Sequence, residues 1–290
     1  MRVLITGGAG FIGSHLAEHF QGRAEVRVLD NLRTGFEANL DGLDLELIRG
    51  SVCDRDLVRD AVRDVDYVFH MAAFVSVPES VEKPSECEDI NVNGLLNVLE
   101  ESAVAGVRKL CFASSAAIYG DNPTVPKLES MSPEPKSPYA STKLDGEHHC
   151  GMFQLDGRLN TACLRFFNVF GPRQDPNGPY AAAVPIFFQK ALAGEALTIF
   201  GDGGATRDFI FVRDIVAALV FLADNESVTG VFNAGYGRQT SIRELAQTIL
   251  ELTGSSSEIV YAPERAGDVR HSVASVDKLK AAGVYPGGSL

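Results

Sequence analysis

The chain is short of positive charge. Its 290 residues carry 26 lysines and arginines against 38 aspartates and glutamates, for a net charge of −12. Nucleic acids and anionic membranes select basic surfaces, so neither is expected as a partner, while a few local arginines leave room for a small anionic ligand. No apolar run approaches the roughly 20 residues of a membrane span. The strand-like Arg2-Val3-Leu4-Ile5-Thr6 opens the sequence and leaves no room for a signal peptide, so a cytoplasmic protein is expected. Cys53, Cys87, Cys111, Cys150 and Cys163 are odd in number, scattered, and mostly inside apolar segments. They lack zinc-type spacing and read as reduced core thiols, and no metal is expected. Repeats and low-complexity tracts are absent too. The length suffices for a large core, alone or with a smaller lobe.

What is present begins with a glycine turn. Val3-Leu4-Ile5 is a short apolar strand, and Thr6-Gly7-Gly8-Ala9-Gly10-Phe11-Ile12-Gly13-Ser14-His15-Leu16 leads from it into an apolar-periodic helix. Glycine turns are common and say little alone. This one lies between a strand and a helix, and the next strand, Glu25-Val26-Arg27-Val28-Leu29, ends in Asp30. That is the dinucleotide fingerprint: Gly7 permits the turn, Gly10 lets backbone N–H groups reach a pyrophosphate, and Gly13 lets the helix pack closely. Asp30 would accept hydrogen bonds from the adenosine ribose and repel a 2′-phosphate, favouring NAD over NADP, with Arg33 nearby as a contrary charge.

The alternation continues through Leu45-Glu46-Leu47-Ile48, a helix from about Asp54, Tyr67-Val68-Phe69-His70, a long helix from about Pro84 to Ala105, and Lys109-Leu110-Cys111-Phe112-Ala113. Apolar strands separated by helices predict a parallel sheet covered on both faces, with ligands at the strands' carboxyl ends. Just past those ends stand Asp54, His70-Met71-Ala72-Ala73 and Ser114-Ser115. Asp54 reads equally as a helix cap or an adenine contact, and His70 as structural. After the strand Thr161-Ala162-Cys163-Leu164-Arg165-Phe166, the loop from Asn168 to Pro179 is rich in turn formers. Shorter segments follow: a helix near Ala182 to Ala193, strands at Leu197-Thr198-Ile199 and Asp208-Phe209-Ile210-Phe211, a helix after Asp214, a strand at Val231-Phe232, and a capping box at Ser241-Ile242-Arg243-Glu244. The expected architecture is α/β: a Rossmann-type doubly wound parallel sheet over residues 1–166, with later segments returning to it. Residues 167–290 mainly form a smaller substrate-binding lobe, whose last helix, from Asp277, stops short.

One further stretch carries chemistry. In Ser137-Pro138-Tyr139-Ala140-Ser141-Thr142-Lys143, Ser137 can cap a helix and Pro138 suits its first turn. Tyr139 and Lys143, at i and i+4, share one face. A cation about 6 Å from the phenol, at an effective dielectric near 20, is worth roughly 3 kcal/mol, or about 2 pKa units. The spacing therefore predicts a tyrosine acidified by its lysine and able to trade a proton with a substrate hydroxyl. Without the dinucleotide fold, the pair would read as a packed ring beside a solvated amine.

With both features, the chain resembles the extended short-chain dehydrogenase/reductase superfamily, and within it the nucleotide-sugar epimerases of the UDP-glucose 4-epimerase type. The matching stretches are TGGAGFIGSH at residues 6 to 15, SSAAIYG at 114 to 120, YASTK at 139 to 143, FNVFGPRQDPNG at 167 to 178, RDFIFVRD at 207 to 214 and ERAGDVRHS at 264 to 272. The resemblance implies Tyr139 as acid/base, Lys143 orienting it and the nicotinamide ribose, and Ser115 bonded to the reacting hydroxyl. A strand-end hydroxyl bonded only to backbone would suit Ser114 better. Around NAD the resemblance places Gly7, Gly10, Phe11, Ile12, Gly13, Asp30, Asn31, Arg33, Thr34, Gly35, Asp54, Met71, Ala72, Ala73, Asn91 and Phe166, with Tyr139 and Lys143. Around the UDP-sugar it places Ser76, Ser115, Asn168, Val184, Pro185, Ile186, Thr198, Phe200, Arg207, Arg265, Asp268 and Ser272. Arg270 reads equally as a phosphate anchor or a surface charge.

Relatives that dehydrate or decarboxylate carry extra carboxylates just after the position of Ser115. Here those positions are Ala116 and Ala117. One acid/base and one redox cofactor suffice to oxidise a C4 hydroxyl and reduce it again, giving the C4 epimer. In the family, the residue four after the aspartate of Arg265-Ala266-Gly267-Asp268 limits room at C2, and here it is the small Ser272. UDP-N-acetylglucosamine/UDP-N-acetylgalactosamine is thus at least as well suited as UDP-glucose/UDP-galactose. Two rivals stay open: a UDP-glucuronic acid epimerase using Arg173 or Thr206, and an NAD-holding redox sensor, a class that typically loses the tyrosine or lysine. The family tendency is a homodimer joined through the helices near residues 84 to 105 and 138 to 155.

Overall fold

A computed structural model describes residues 1–178, 181–264, 269–285 and 287. The chain first builds β1 (Arg2–Thr6), α1 (Phe11–Phe20), β2 (Glu25–Asp30), β3 (Glu46–Arg49), α2 (Arg55–Ala61), β4 (Tyr67–His70), α3 (Val77–Glu82), α4 (Pro84–Glu88), α5 (Gly94–Ala105), β5 (Lys109–Ser115), α6 (Pro138–Leu155) and β6 (Asn160–Phe166). It then adds β7 (Asn168–Phe170), α7 (Ala183–Ala193), β8 (Leu197–Phe200), β9 (Thr206–Arg207), β10 (Phe209–Phe211), α8 (Val212–Asp224), β11 (Gly230–Ala234), β12 (Thr240–Ser241), α9 (Ile242–Thr253), β13 (Ile259–Ala262) and α10 (Asp277–Ala281).

Seven parallel strands run in the order β11-β6-β5-β4-β1-β2-β3. Alternation along each strand divides the core. Val3 and Ile5 pack with Leu16 and Phe20 of α1 and Ile215, Leu219 and Leu222 of α8. Leu4 faces the other way, with Val58 of α2, Leu95, Val98 and Leu99 of α5, and Phe153 of α6. Burying each such side chain contributes about 1.5–3 kcal/mol, and two covered faces explain the near-continuous apolar strands. This is the doubly wound parallel sheet that the sequence predicts. The later half is not a separate body, because β11 returns to the sheet beside β6. What remains of that half is a cluster of Val184, Phe187, Leu197, Ile199, Leu245 and Ile249, joining α7, α9 and β8.

Three elements differ from expectation, the first being the loop from Asn168, which opens with β7, parallel to β10. The helix predicted from Pro84 to Ala105 is interrupted by a π-helical turn, Asp89–Asn93, between α4 and α5. Within it Asn91 is buried, accepting the Phe74 N–H at 2.7 Å and donating to the Phe74 carbonyl at 3.2 Å, and the helix yields to that clamp. The helix placed after Asp214 begins earlier, at Val212, and Asp214 lies in its first turn. Among the described residues no helix is long and apolar enough to cross a membrane.

Candidate active site

The site grows from the first turn of α6. The Ser137 hydroxyl caps it by accepting the Ala140 N–H at 3.2 Å, with Pro138 in the first turn. The Tyr139 N–H goes instead to Ser80 Oγ of α3, at 3.2 Å, and the Tyr139 carbonyl accepts Thr142 Oγ1 at 2.9 Å. The backbone of Tyr139 is therefore held at both ends before its side chain makes any contact. One turn on, Lys143 is buried, with Nζ donating to the Ala113 carbonyl at 2.8 Å and lying 5.8 Å from the centre of the Tyr139 ring.

The electrostatics correct the expectation of an acidified phenol. Burial raises the Tyr139 pKa above its ordinary value, and the hydroxyl of Ser115, which lowers it, only partly offsets this. Burial also pulls Lys143 down, to about 8. Helix spacing gives the separation of the pair but not its desolvation, and here desolvation wins. The protein thus holds a neutral phenol beside a lysine whose charge is lightly held. Ser115, at the end of β5, accepts the Ala117 N–H at 3.1 Å, so its own hydrogen remains available to the phenol oxygen or a substrate. Ser114 is not the backbone-bonded hydroxyl expected. It donates to the buried Glu147 carboxylate at 2.5 Å.

The cofactor side is built by close approach. At Gly7, with φ +68°, an added Cβ would lie 2.6 Å from Ala72 N, and at Gly13 it would lie 2.3 Å from the Gly7 carbonyl oxygen. The first turn of α1 has no side-chain cap and no acidic residue, so the amides of Phe11, Ile12 and Gly13, which have no partner within the helix, suit a pyrophosphate. Asp30 holds the Ala9 N–H at 2.9 Å and the Leu32 N–H at 2.8 Å, one on each carboxylate oxygen, and each oxygen keeps a lone pair for a ribose hydroxyl. Gly35 lies against Ala9, where a Cβ would come within 2.8 Å, and Thr34 beside it is exposed. Half-buried Met71, Ala72 and Ala73 follow β4, and half-buried Phe166 ends β6. These residues fit a dinucleotide.

Other residues expected at the site also have partners within the protein. Asp54 caps α2 through the Leu57 N–H at 3.1 Å, and Ser76 caps α3 through the Glu79 N–H at 3.1 Å. Besides clamping Phe74, Asn91 reaches Thr142 Oγ1 at 3.0 Å, so it braces the helix that carries Tyr139. Asn31 accepts the Arg33 N–H at 3.1 Å, and the Arg33 side chain is taken by two glutamates. His70 bonds Thr6 Oγ1 at 2.9 Å and is pushed down to about 3 by burial, so it stays neutral and structural.

On the substrate side, the backbone N–H of exposed Asn168 goes to the Asp208 carbonyl at 3.0 Å, placing it next to Arg207. Asp208 is a position that sequence reasoning missed. Fully buried, its carboxylate accepts the N–H groups of Tyr236, Gly237 and Ala274 at 2.7, 2.9 and 3.0 Å, tying two distant segments to the strand that follows Arg207. Its one sequence signal was an acid set in the strand Asp208-Phe209-Ile210-Phe211. Ser272 sits on one of those segments, its N–H bonded to the Thr206 carbonyl at 3.1 Å. Val184 belongs to the core of α7, α9 and β8, while half-buried Pro185 and Ile186 lie beside it. Thr198 is half-buried and Phe200 is exposed on β8. Arg270 pairs with Asp202 at 2.7 Å. Arg173 turns to α1, meeting Glu18 at 2.9 Å, and Thr206 bonds Gln239 and His271 at 3.0 and 2.9 Å. Arg265 and Asp268 lie outside the described residues.

A bare α1 N-terminus, an aspartate at the end of β2 and a Ser-Tyr-Lys set at the same sheet edge have a counterpart in sequence: residues 3–235 match the NAD dependent epimerase/dehydratase family. The chain belongs to that family. This epimerase/dehydratase chain is 38% identical to the UDP-glucose 4-epimerase of Mycolicibacterium smegmatis, over 94% of its own length and 89% of the relative's. A solved UDP-N-acetylglucosamine 4-epimerase from Methanobrevibacter ruminantium, in complex with UDP-N-acetylmuramic acid, superposes with a TM-score of 0.96 at 38% identity, covering 99% of this chain and 93% of that one. The NAD complex of the Thermus thermophilus UDP-glucose 4-epimerase gives 0.92 at 40% identity, covering 100% and 95%.

Proposed function

We propose that this chain is an NAD-dependent UDP-sugar 4-epimerase that acts through a transient 4-keto sugar. The observation that carries the reading is a site with a single acid/base. Tyr139, Ser115 and Lys143 converge at the sheet edge, and Ala116 and Ala117 supply no second proton donor. NAD, when bound, supplies the hydride acceptor and then the hydride donor. Tyr139 first gives up its own proton to solvent. As the phenolate it takes the proton of the C4 hydroxyl while the hydride leaves C4, and it returns that proton to the oxygen when the hydride comes back to the other face of the turned ketone. Ser115 holds the oxygen through both steps, and Lys143 offsets the phenolate charge that is present before the first step and restored by the second. Burial makes the anion costly except while it is paired with the reacting hydroxyl.

Arg207, braced by Asp208, and Asn168 suit the nucleotide's pyrophosphate, and the small Ser272 leaves room at C2, so both the plain and the N-acetylated hexose pairs are proposed substrates. A glucuronate reading needs a cation or a hydroxyl cluster at the C6 carboxylate, and both candidates are engaged elsewhere, Arg173 with Glu18 and Thr206 with Gln239 and His271. A homodimer through α5 and α6 is supported by Val104, Met152 and Leu155, apolar on those helices yet 82%, 48% and 88% exposed. Mixing the purified protein with UDP-glucose, UDP-N-acetylglucosamine or UDP-glucuronic acid should yield the C4 epimer of the first two. No epimer from any of them would overturn the proposal.

A further inference from the structure

Arg33 stands three residues past Asp30, in the loop after β2, where an arginine ordinarily meets the 2′-phosphate of NADP. Its guanidinium is already engaged on three sides. Glu79 of α3 holds it at 2.9 Å, Glu86 of α4 holds it at 3.1 Å, and the Phe74 ring lies 4.5 Å beneath. Both anchor points are fixed. At the near end Leu32, with φ 58°, gives its N–H to Asp30, the carboxylate that faces the ribose. At the far end the Phe74 backbone is clamped by Asn91, and α3 is capped by Ser76. Arg33 therefore spans from the loop after β2 to the helices after β4, across the adenosine end of the cleft.

We propose that Arg33, Glu79 and Glu86 form a strap that sets cofactor choice, withholding the cation that would otherwise recruit a 2′-phosphate. The proposal rests on the NAD reading of the glycine loop. Lys83 also pairs with Glu79, at 3.0 Å, so Arg33 and Lys83 face the carboxylates of Glu79 and Glu86, and with Asp30, bonded to Leu32 beside Arg33, the local balance is one negative charge. A 2′-phosphate brings about two more. Ion pairs this exposed are individually weak, but selectivity does not need them to be strong. It needs only that the guanidinium fork be occupied and its charge offset.

The test equilibrates the purified protein with NADH and with NADPH, reading bound cofactor by its fluorescence. In the double variant Glu79→Gln/Glu86→Gln, NADPH affinity should rise at least tenfold relative to NADH. Adding Arg33→Ala should cancel that gain, which a merely structural role for the glutamates would not predict. Should the double variant fail to fold, Glu86→Gln alone, at the more exposed pair, gives a smaller shift of the same sign. An unchanged ratio, or a gain that survives Arg33→Ala, would overturn the strap. Failure of the wild-type protein to bind either cofactor would overturn the NAD reading itself.

Discussion

Lys143 and Glu147 stand one turn apart on α6, both buried, yet the protein treats their charges in opposite ways. Glu147 is matched: Arg165 of β6 meets its two oxygens at 2.9 and 2.7 Å. Burial works against the Arg165 charge, but its bonds to Glu147 and Tyr119 outweigh this and hold its pKa above the ordinary value. The network continues from Tyr119 to Asn233 at 2.6 Å, and from Asn233 to the carbonyls of Lys127 and Ser275 at 2.8 and 3.2 Å. Among the described residues Lys143 has no carboxylate partner, only a carbonyl, aromatic rings and the thiols of Cys87 and Cys150, and burial takes its pKa down to about 8. A fully paired buried charge organises the fold, whereas a buried charge left without a counter-ion suits the role proposed for Lys143, offsetting a phenolate when Tyr139 ionises.

The largest effect should come from breaking the reactive end. Tyr139→Phe keeps the ring and the backbone bonds of that turn but removes the group placed to move the proton. Turnover should fall by about 10³–10⁴-fold, near the upper end of what a positioned acid/base contributes, with NADH binding retained. Turnover at the wild-type rate in this variant would show that the phenol is a bystander.

At the paired end the effect should fall on stability. Arg165→Met leaves Glu147 as an uncompensated buried carboxylate, and urea unfolding should show a loss of about 3–5 kcal/mol. Removing both charges in Arg165→Met/Glu147→Gln should recover a large share of that loss. If the single and double variants are equally destabilised, the pair is not the unit described here.

How much of this contrast was legible in the sequence follows from where each partner lies. Tyr139 and Lys143 are four residues apart on one helix, and Gly7, Gly10 and Gly13 act within one turn, so spacing brought each set together and the strand-helix alternation around them gave it a meaning. Glu147 and Arg165 are brought together by the packing of α6 on β6, and the only advance sign was an arginine inside an apolar strand. Asp208 gathers two distant segments, at 236–237 and 274, that no local pattern connects to its own. The acidified phenol failed as an expectation because burial depends on everything packed around the ring. The π-helical turn was unreadable for a similar reason, since the clamp between Asn91 and Phe74 is tertiary.

A pH titration of stability sharpens the comparison further. In the unfolded chain Lys143 would titrate near 10.5, and in the folded chain it titrates near 8. Between those values the unfolded state binds a proton that the folded state does not, so this group makes stability rise as pH climbs through the window. Below about pH 8 both states are protonated, and the full cost of the buried charge is present. The rise should be on the order of 3 kcal/mol, read as the difference between wild type and Lys143→Met, which has nothing to titrate. Parallel profiles for the two proteins would mean that Lys143 carries no such penalty.

The smallest effect tests how far the paired network reaches into specificity. It ends on the segment that bears Ser272, because Lys127 also bonds the Val273 carbonyl and the Ser275 N–H, each at 2.8 Å. If Ser272 acts only by leaving space, Ser272→Tyr should lower turnover of UDP-N-acetylglucosamine about tenfold or more relative to UDP-glucose, the usual scale for crowding in a pocket. Tyr119→Phe cuts the network upstream without touching that space, so it should lower both substrates by the same factor. Should Tyr119→Phe shift the ratio as well, the paired end of α6 is setting the shape of the sugar site, and the division between an organising charge and a reactive one no longer holds. Equal loss of both sugars in Ser272→Tyr would instead remove Ser272 from the specificity argument and leave that division intact.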